Sequence, residues 1–335
     1  MDRVDPDALM AGELGQWLTA QDTMRAEAKA KAARIQTMSI VAAGAVAFLV
    51  ILFKADGIGP ALKWRFIIGA AGFGWAEWSK RPAITAIKGG INGAIARALG
   101  LHYAVEHEVG AEFATACTYD MLPGHDRASF EDLWQGEIGG NAFQLYEARP
   151  GGPPDTGKSR HWVTVFAGSI ITLSFARRFQ GVTLIERAEK AQRFFGLLGD
   201  KDELERGGQD LRRIDLVDPA FTEQFSVWSS DPAEAHYLVH PDYVQRLIAI
   251  EQAFSGKNLR ALFHDGELLI ALESGNLFES GSLDAGEDRQ RLEQSIQQFG
   301  TLADLAEKLN ERARPGLGRL EISSDGCGIP PSQTA

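Results

Sequence analysis

A run of 16 residues without a charge, residues 38–53 (MSIVAAGAVAFLVILF), limits what this chain can fold into more than any other feature. Extended back to Ile35, the run reaches 19 residues. As an α-helix it would span about 28 Å, close to the hydrocarbon thickness of a bilayer. A buried core helix is the alternative interpretation. The length without a charge favours a transmembrane helix at residues 38–53.

A second apolar stretch, residues 61–78, carries weaker evidence for crossing a membrane. It contains Arg65, whose long side chain could reach the surface, and Glu77 near its end. It also contains three amphipathic rings of the kind found at membrane interfaces, Trp64, Trp75 and Trp78. We predict a second transmembrane helix here, with a re-entrant or surface-lying helix as the alternative.

The basic residues around these stretches predict their orientation. Three Lys or Arg residues lie between the two stretches, and the two outer flanks hold eight. Because cytoplasmic flanks are enriched in Lys and Arg, we expect both ends of the hairpin in the cytoplasm. The two cysteines, Cys117 and Cys327, form no secreted disulfide framework and fit a reducing compartment.

The charge of the chain is unevenly distributed. The formal net charge is −11. Residues 1–100 hold 12 Lys or Arg and 8 Asp or Glu, or +4, which leaves −15 for residues 101–335. Nucleic-acid binding depends on basic patches that neutralise phosphates. The acidic body therefore argues against nucleic acid as a partner.

Beyond residue 110 the sequence changes to short runs of alternating polarity, which predict strands. In SIITLSF, Ile171, Leu173 and Phe175 fall on one face while Thr172 and Ser174 fall on the other, the pattern of a half-buried antiparallel strand. Similar runs predict strands on either side of it, and the sequence around Asp265 and Gly266 predicts a hairpin.

Helical patterns alternate with these strands. Helices are predicted near residues 186–198, from Pro232 behind a cap at Ser230 or Asp231, over 240–254 and over 286–313. Glu131 and Asp132 are interpreted as the start of another helix after Ser129.

The expected fold class is α+β. An N-terminal helix and one or two transmembrane helices are followed by a soluble domain with a mainly antiparallel sheet packed by helices. The predicted divisions are a juxtamembrane helix (1–37), a transmembrane helical hairpin (38–82), a cytoplasmic α+β domain (83–313) and a disordered tail (314–335).

The segment GGPPDTGKS contains the complete phosphate-loop pattern in Gly152, Gly157, Lys158 and Ser159. In a phosphate-loop enzyme a helix begins at the Lys and Ser, so that its N-terminus surrounds the phosphates. Here a β-branched and aromatic run follows instead, and the nearest candidate for a magnesium-holding strand end is broken by Asp215. We interpret the loop as a hairpin connection and keep nucleotide binding by these four residues as the alternative.

The remaining polar motifs are weak. His236 and His240 have the spacing used by zinc enzymes, but Pro241 moves His240 away from helical geometry. His102 and His107 are expected to be solvated, and Cys117 is expected to be a small buried core residue. We predict no catalytic residue, no metal site and no cofactor.

Four blocks of the sequence resemble a known family. They are SFEDLWQGEIGGNAFQLYEA, VFAGSIITLSFARRFQGVTLI, FTEQFSVWSSDPAEAHYLVHP and NLFE, which together fall within roughly residues 85–280. In this order they resemble an uncharacterised bacterial membrane-protein family, domain of unknown function 3137. The second block holds an F-x-G pattern at Phe179 and Gly181, and the third holds F-x-V-x-S-x-D-P-x-E-A over residues 225–235. The resemblance implies an N-terminal helical membrane anchor before a soluble α+β domain, and it carries over no activity or catalytic residue.

These observations predict a membrane-anchored interaction or scaffolding module without an enzymatic role. Its soluble part would face the cytoplasm at a bacterial inner membrane. Its partners would be the lipid bilayer and another membrane or cytoplasmic protein. The alternatives are a membrane-tethered nucleotide hydrolase that uses the GPPDTGKS loop, and a lipid or small-ligand sensor with a pocket between sheet and helices.

Overall fold

In a computed structural model of the chain, the described residues are 5–52, 58–108, 110–152, 163–175, 178–188, 202–215, 222–275, 277–278 and 280–313. The side chains of residues 47, 49–52, 58–68, 163, 241, 242, 244 and 308–313 also lie outside the description. Most of the helix predicted near 186–198 and all of the predicted tail, residues 314–335, fall outside the described residues.

Four helices open the described part of the chain: α1 (Pro6–Ala11), α2 (Glu13–Ala20), α3 (Asp22–Leu52) and α4 (Ile58–Leu99). The side chain of Asp5 caps α1 by accepting a hydrogen bond from the backbone N–H of Asp7, and Pro6 occupies the first turn. Where one helix is predicted over residues 7–37, the structure has three, separated at Gly12 and Gln21.

Helices α3 and α4 pack against each other along a seam of small residues. A Cβ added to Gly72 would lie 1.9 Å from the Ser39 Oγ, so the two backbones approach closely there. Farther along the seam, Ala76 is fully buried and Ala32 nearly so. Beyond the seam, Trp17 of α2 packs on α4 at Gly90.

The structure does not support the two predicted transmembrane helices. Among the described residues, no helix has an apolar stretch long enough to cross a membrane. Both predicted stretches extend into residues 47 and 49–68, whose side chains lie outside the description.

The described strands form an 11-stranded sheet in which every pairing is antiparallel. Along the sheet the order is β1-β2-β3-β5-β11-β10-β6-β9-β8-β7, and β4 pairs with β3. The strands are β1 (His102–Glu106), β2 (Arg127–Ile138), β3 (Asn141–Gly152), β4 (Val163–Thr164), β5 (Gly168–Ser174), β6 (Thr183–Arg187), β7 (Glu203–Arg206), β8 (Gln209–Arg213), β9 (Phe225–Ser229), β10 (Lys257–His264) and β11 (Glu267–Glu273). The predicted α+β class with an antiparallel sheet is confirmed.

The strand β5 lies inside the sheet and is covered on both faces. It pairs with β3 on one side and β11 on the other. Ile171 and Leu173 belong to the core on one face, and Ile170 belongs to the core on the opposite face. The prediction that this strand is half-buried was wrong, because a second hydrophobic layer covers the face that carries Thr172, which is itself buried.

Most of the helices cover one face of the sheet. The larger core lies between that face and α2, α4, α6 (Pro232–Leu238), α7 (Pro241–Ala253) and α8 (Asp288–Ala313). The smaller core, on the other face, includes Phe113 and Ala116 of α5 (Ala111–Thr118). There the β7–β8 turn closes over Tyr119, and Gly207, at φ +59°, leaves no room for a side chain.

The helices predicted after residue 230 are present. Asp231 caps α6 by accepting hydrogen bonds from the backbone N–H groups of Ala233 and Glu234, with Pro232 at the first position. A 3₁₀ turn (Ala285–Glu287) leads into α8. Four apolar side chains of α8 are fully buried, as its periodicity predicts: Leu292, Phe299, Leu302 and Leu305.

Candidate functional site

The candidate functional site is an exposed apolar surface on α3 and α4. Nine large hydrophobic side chains are exposed among the described residues, and seven of them lie on these two helices between residues 38 and 78. Each of the seven is at least 60% exposed. We call this surface the apolar band: Met38, Ile40, Val41, Phe48, Phe73, Trp75 and Trp78. A concentration of this kind marks an interaction surface, whereas single exposed hydrophobic residues such as Val165 and Tyr237 are ordinary.

The pairing of the two helices explains why the large residues face outward. The helix seam uses small side chains, Ser39 and Ala43 on α3 and Gly72 and Ala76 on α4. Small residues let the backbones approach closely, which leaves the bulky side chains on the outside. A helix of a soluble protein has the reverse arrangement, with its apolar stripe packed against the core.

A buried ion pair joins α4 to the sheet beyond the band. The Lys88 Nζ lies 2.5 Å from the Asp132 Oδ2, and both side chains are almost fully buried. The hydroxyl of Tyr103 donates a hydrogen bond of 2.6 Å to the Asp132 Oδ1. Asp132 sits at a bulge in β2 with φ +57°, a conformation that turns its carboxylate toward α4. We call Lys88, Tyr103, Asp132 and Glu147 the polar joint.

Glu147 of β3 is the most perturbed acid of the polar joint. It is 3% exposed, and burial raises its pKa to about 8, helped by the neighbouring Asp132 carboxylate. The charges of Lys88 and Arg149 and a backbone hydrogen bond at Leu277 oppose this rise. Burial, followed by the Asp132 charge, also raises the pKa of Tyr103. Glu147 can therefore hold a proton near neutral pH, in a position that solvent barely reaches.

Two further contacts tie the N-terminal helices to the rest of the chain. The Asn92 side chain on α4 donates a hydrogen bond to the backbone oxygen of Phe278, and its Oδ1 accepts one from Ser280. On α3, Arg25 forms a buried ion pair of 2.7 Å with Asp288 at the start of α8. Truncating one member of such a pair leaves a buried charge, so these contacts hold α3 and α4 in one orientation relative to the sheet.

The phosphate-loop residues are not brought into this site. Gly152 is the last residue of β3 and pairs with Val163 of β4. Gly157, Lys158 and Ser159 lie outside the described residues. Their nucleotide-binding role stays an alternative prediction.

The histidines and Cys117 lie apart from the polar joint. His236 is exposed on α6, and His240 follows the end of that helix at Leu238, so the two share no helix face. The His107 ring packs 4.9 Å from the Tyr146 ring. Cys117 is half-buried beside the smaller core, and burial raises the pKa of its thiol. Among the described residues, no group of three His, Cys, Asp or Glu side chains is placed to hold a metal.

The sequence interpretation missed the residues of the polar joint. Glu131 and Asp132 lie in the strand β2, so the predicted helix start after Ser129 was wrong. The nearby bulge needs an extra residue in the strand, and Asp132 fills that role with its side chain turned inward. A charged pair inside an otherwise strand-like run was the available signal. Nothing in the sequence marks Lys88 as its partner.

The blocks that carry the family resemblance meet in space. The Glu234 carboxylate accepts hydrogen bonds from the backbone N–H groups of Gln180 and Gly181. A Cβ on Gly181 would lie 2.7 Å from that of Asp231. The Ser230 hydroxyl accepts a hydrogen bond from the backbone of Val182. The F-x-G and D-P-x-E-A patterns therefore fit together as one structural junction.

A cleft of about 600 Å³ opens at one end of the sheet, beside the strand that follows the phosphate-like loop. Val165 and Phe166 form its apolar wall, and Lys257, Glu273 and Ser274 line the opposite side. Its size suits a small ligand. It lies at strand ends and not between the sheet and the helices, where the ligand-sensor alternative places a pocket.

Comparison with known proteins gives a family match. A search of curated proteins finds no match. The crystal structure of the mycobacterial trehalose monomycolate transport factor A, TtfA, is similar with a TM-score of 0.36 and 12% identity, over 65% of this chain and 93% of that chain. The family model described as "Protein of unknown function (DUF3137)" matches residues 164–311. The match confirms the resemblance inferred from the sequence blocks and extends it into α8.

Proposed function

We propose, for a chain whose residues 164–311 belong to the protein family of unknown function DUF3137, that it is an interaction module held at a lipid bilayer by the apolar band. The concentration of exposed large hydrophobic side chains on one helix pair carries this proposal. Removing a large apolar side chain from water contributes about 1.5–3 kcal/mol. Seven partly exposed side chains therefore supply on the order of 10 kcal/mol, enough for tight association with an apolar phase.

The arrangement of the band supports a bilayer as the apolar phase. Trp75 and Trp78 lie at one end of it and are followed by Lys80 and Arg81. Aromatic rings next to basic residues are typical of helices at the membrane interface. A protein partner would instead be expected to meet a flat or grooved patch, since protein interfaces bury contiguous surfaces on one side of a molecule.

The module would present its sheet to a protein partner on the cytoplasmic side of a bacterial inner membrane. Support comes from the basic residues on both outer flanks of the hairpin, which are typical of cytoplasmic segments. The joints at Lys88 and Arg25 support a fixed presentation, because buried ion pairs tie the helices that carry the band to the sheet and to α8.

Vesicle flotation of the full-length protein tests the proposal. The purified chain is diluted from detergent into preformed phosphatidylcholine vesicles and centrifuged through a density gradient. We expect the wild type to float with the vesicles, and a variant carrying Ile40→Asn, Phe73→Asn and Trp75→Asn to lose most of this association. The matched control is Val165→Asn with Tyr237→Asn, which removes the exposed hydrophobic residues outside the band and should float like the wild type.

Two results would overturn the proposal. One is a wild-type protein that stays in the dense fraction with vesicles present. The other is a detergent-free, lipid-free wild type that forms a defined oligomer whose assembly the band variant abolishes, which would make the band a contact between copies of the chain. Circular dichroism of each variant establishes that it is folded before flotation is interpreted.

Nucleotide hydrolysis has weaker support. It depends on Lys158 and Ser159, and the described flanks of their loop pair as antiparallel strands. Ligand sensing has the cleft beside Phe166 and Lys257 in its favour. Both stay alternatives to the bilayer-held module.

A further inference from the structure

We propose that a ring of exposed cations next to the apolar band selects anionic phospholipid headgroups; this inference rests on the proposed membrane association. The ring, which we call the basic collar, consists of Lys29, Lys31, Arg34, Lys80 and Arg81. Four of these side chains are exposed, and Lys80 is partly buried.

The helix pairing places the collar at one level. Ser39 of α3 lies against Gly72 of α4, and the two helices run in opposite directions around residues 53–57. Because both helices rise by the same amount per residue, Lys31, eight residues before Ser39, lies level with Lys80, eight residues after Gly72. The cations from the two helices therefore surround the pair at a common height.

The collar lies where headgroups would be if the band entered a bilayer. Met38, Ile40 and Val41 follow the collar along α3, and Trp75 and Trp78 precede its cations on α4. The order from the tip of the hairpin is therefore apolar side chains, then tryptophan rings, then cations. Hydrocarbon, interface and charged headgroups follow one another in the same order in a bilayer.

The charge of the collar contrasts with the rest of the chain. Residues 28–37 and 76–85 contain five Lys or Arg and one carboxylate, Glu77, or +4, whereas residues 101–335 carry −15. Glu77 forms an ion pair of 2.6 Å with Lys80. Lys29, Lys31, Arg34 and Arg81 make no ion pair with another described residue. These four cations are available to the phosphates of an anionic membrane surface, which attracts juxtamembrane Lys and Arg.

Flotation with two vesicle compositions tests this inference. The full-length protein is partitioned into vesicles of phosphatidylcholine alone and into vesicles of equal parts phosphatidylcholine and phosphatidylglycerol. We expect tighter partitioning into the anionic vesicles, with an excess that falls as salt is added. In the variant Lys31→Gln, Arg34→Gln, Arg81→Gln, each lost charge should reduce the anionic excess about fivefold, while partitioning into phosphatidylcholine stays unchanged.

A matched control removes three exposed cations of the sheet domain by Arg178→Gln, Arg212→Gln and Lys257→Gln. It should retain the full anionic excess. Equal partitioning of the wild type into both vesicles would overturn the inference, as would a collar variant that keeps the excess. Association with phosphatidylcholine without anionic preference defeats only the collar; association with neither vesicle defeats the proposed membrane association itself.

Discussion

Replacing Glu147 with Gln should change how the stability of the protein depends on pH. The folded pKa of about 8 lies above the ordinary value of 4.5, so between these pH values the folded chain holds a proton that the unfolded chain has released. The stability linked to this proton is fully present below about pH 4.5 and is lost as the pH rises through 8. At about 1.4 kcal/mol per pH unit, the interval amounts to roughly 5 kcal/mol.

The variant Glu147→Gln removes the titration and keeps the shape of the side chain. Relative to the wild type, it should gain stability steadily from pH 5 to pH 8, because only the wild type loses a bound proton over this range. The assay is urea denaturation of the full-length chain in one neutral detergent at several pH values, followed by tryptophan fluorescence. The difference between the two proteins cancels the titration of all other groups.

The control for this experiment is Glu131→Gln. Glu131 lies directly opposite Glu147 in the β2–β3 pairing, but its side chain is 40% exposed. Its substitution should leave the pH dependence of the wild type unchanged. Parallel stability profiles for the wild type and Glu147→Gln would refute the reasoning, because Glu147 would then titrate alike in the folded and unfolded chains.

Three further changes test other parts of the structure. Lys88→Met should lower the free energy of unfolding by about 3–5 kcal/mol in denaturant melts, because it leaves the Asp132 carboxylate buried without this cation; adding Asp132→Asn should restore part of the loss, and an unchanged melt would contradict the joint. Gly72→Ala should destabilise the helix pair by about 1–3 kcal/mol, seen as a lower melting temperature by circular dichroism, whereas Gly74→Ala, with no atom within 4 Å of its added Cβ, should not. Titration calorimetry should show no saturable binding of magnesium ATP to the wild type or to Lys158→Ala, and binding that only the variant loses would establish the phosphate loop.

The elements with strong local signals could be predicted from the sequence. The cap of α6 needs only Asp231 and Pro232 in sequence, and the β10–β11 hairpin needs only a turn at Asp265 and Gly266. These features depend on residues close together in the chain. Periodicity and turn chemistry therefore specify them with little help from the rest of the fold.

The polar joint depends on contacts that no local pattern encodes. Lys88 and Asp132 are 44 positions apart in sequence, and they meet only because α4 crosses the sheet at the bulge in β2. The covered second face of β5 was missed for a similar reason. Thr172 and Ser174 look like solvent-facing positions in sequence, and only the packing of α5 and the segment after it shows that the face is buried.

The family blocks fall between these two cases. Glu234, Gly181 and Asp231 could be recognised as a recurring pattern without knowing what they do. The structure gives the pattern a physical reason, because Glu234 holds the backbone before β6 and Gly181 leaves space for Asp231. The resemblance therefore identifies a structural junction of the fold, which is why it carried no functional residue with it.

Helix α4 continues through Pro82 from the apolar band into the core of the sheet domain. Trp78 at the end of the band and Ile87 in the core are nine residues apart, or about 14 Å along the helix axis. This segment acts as a rigid spacer that sets both the height of the sheet above its attachment surface and the direction the sheet faces. One residue inserted within it would lift the domain by only about 1.5 Å but would turn it by about 100°. The length of this spacer therefore fixes which side of the sheet an approaching molecule meets.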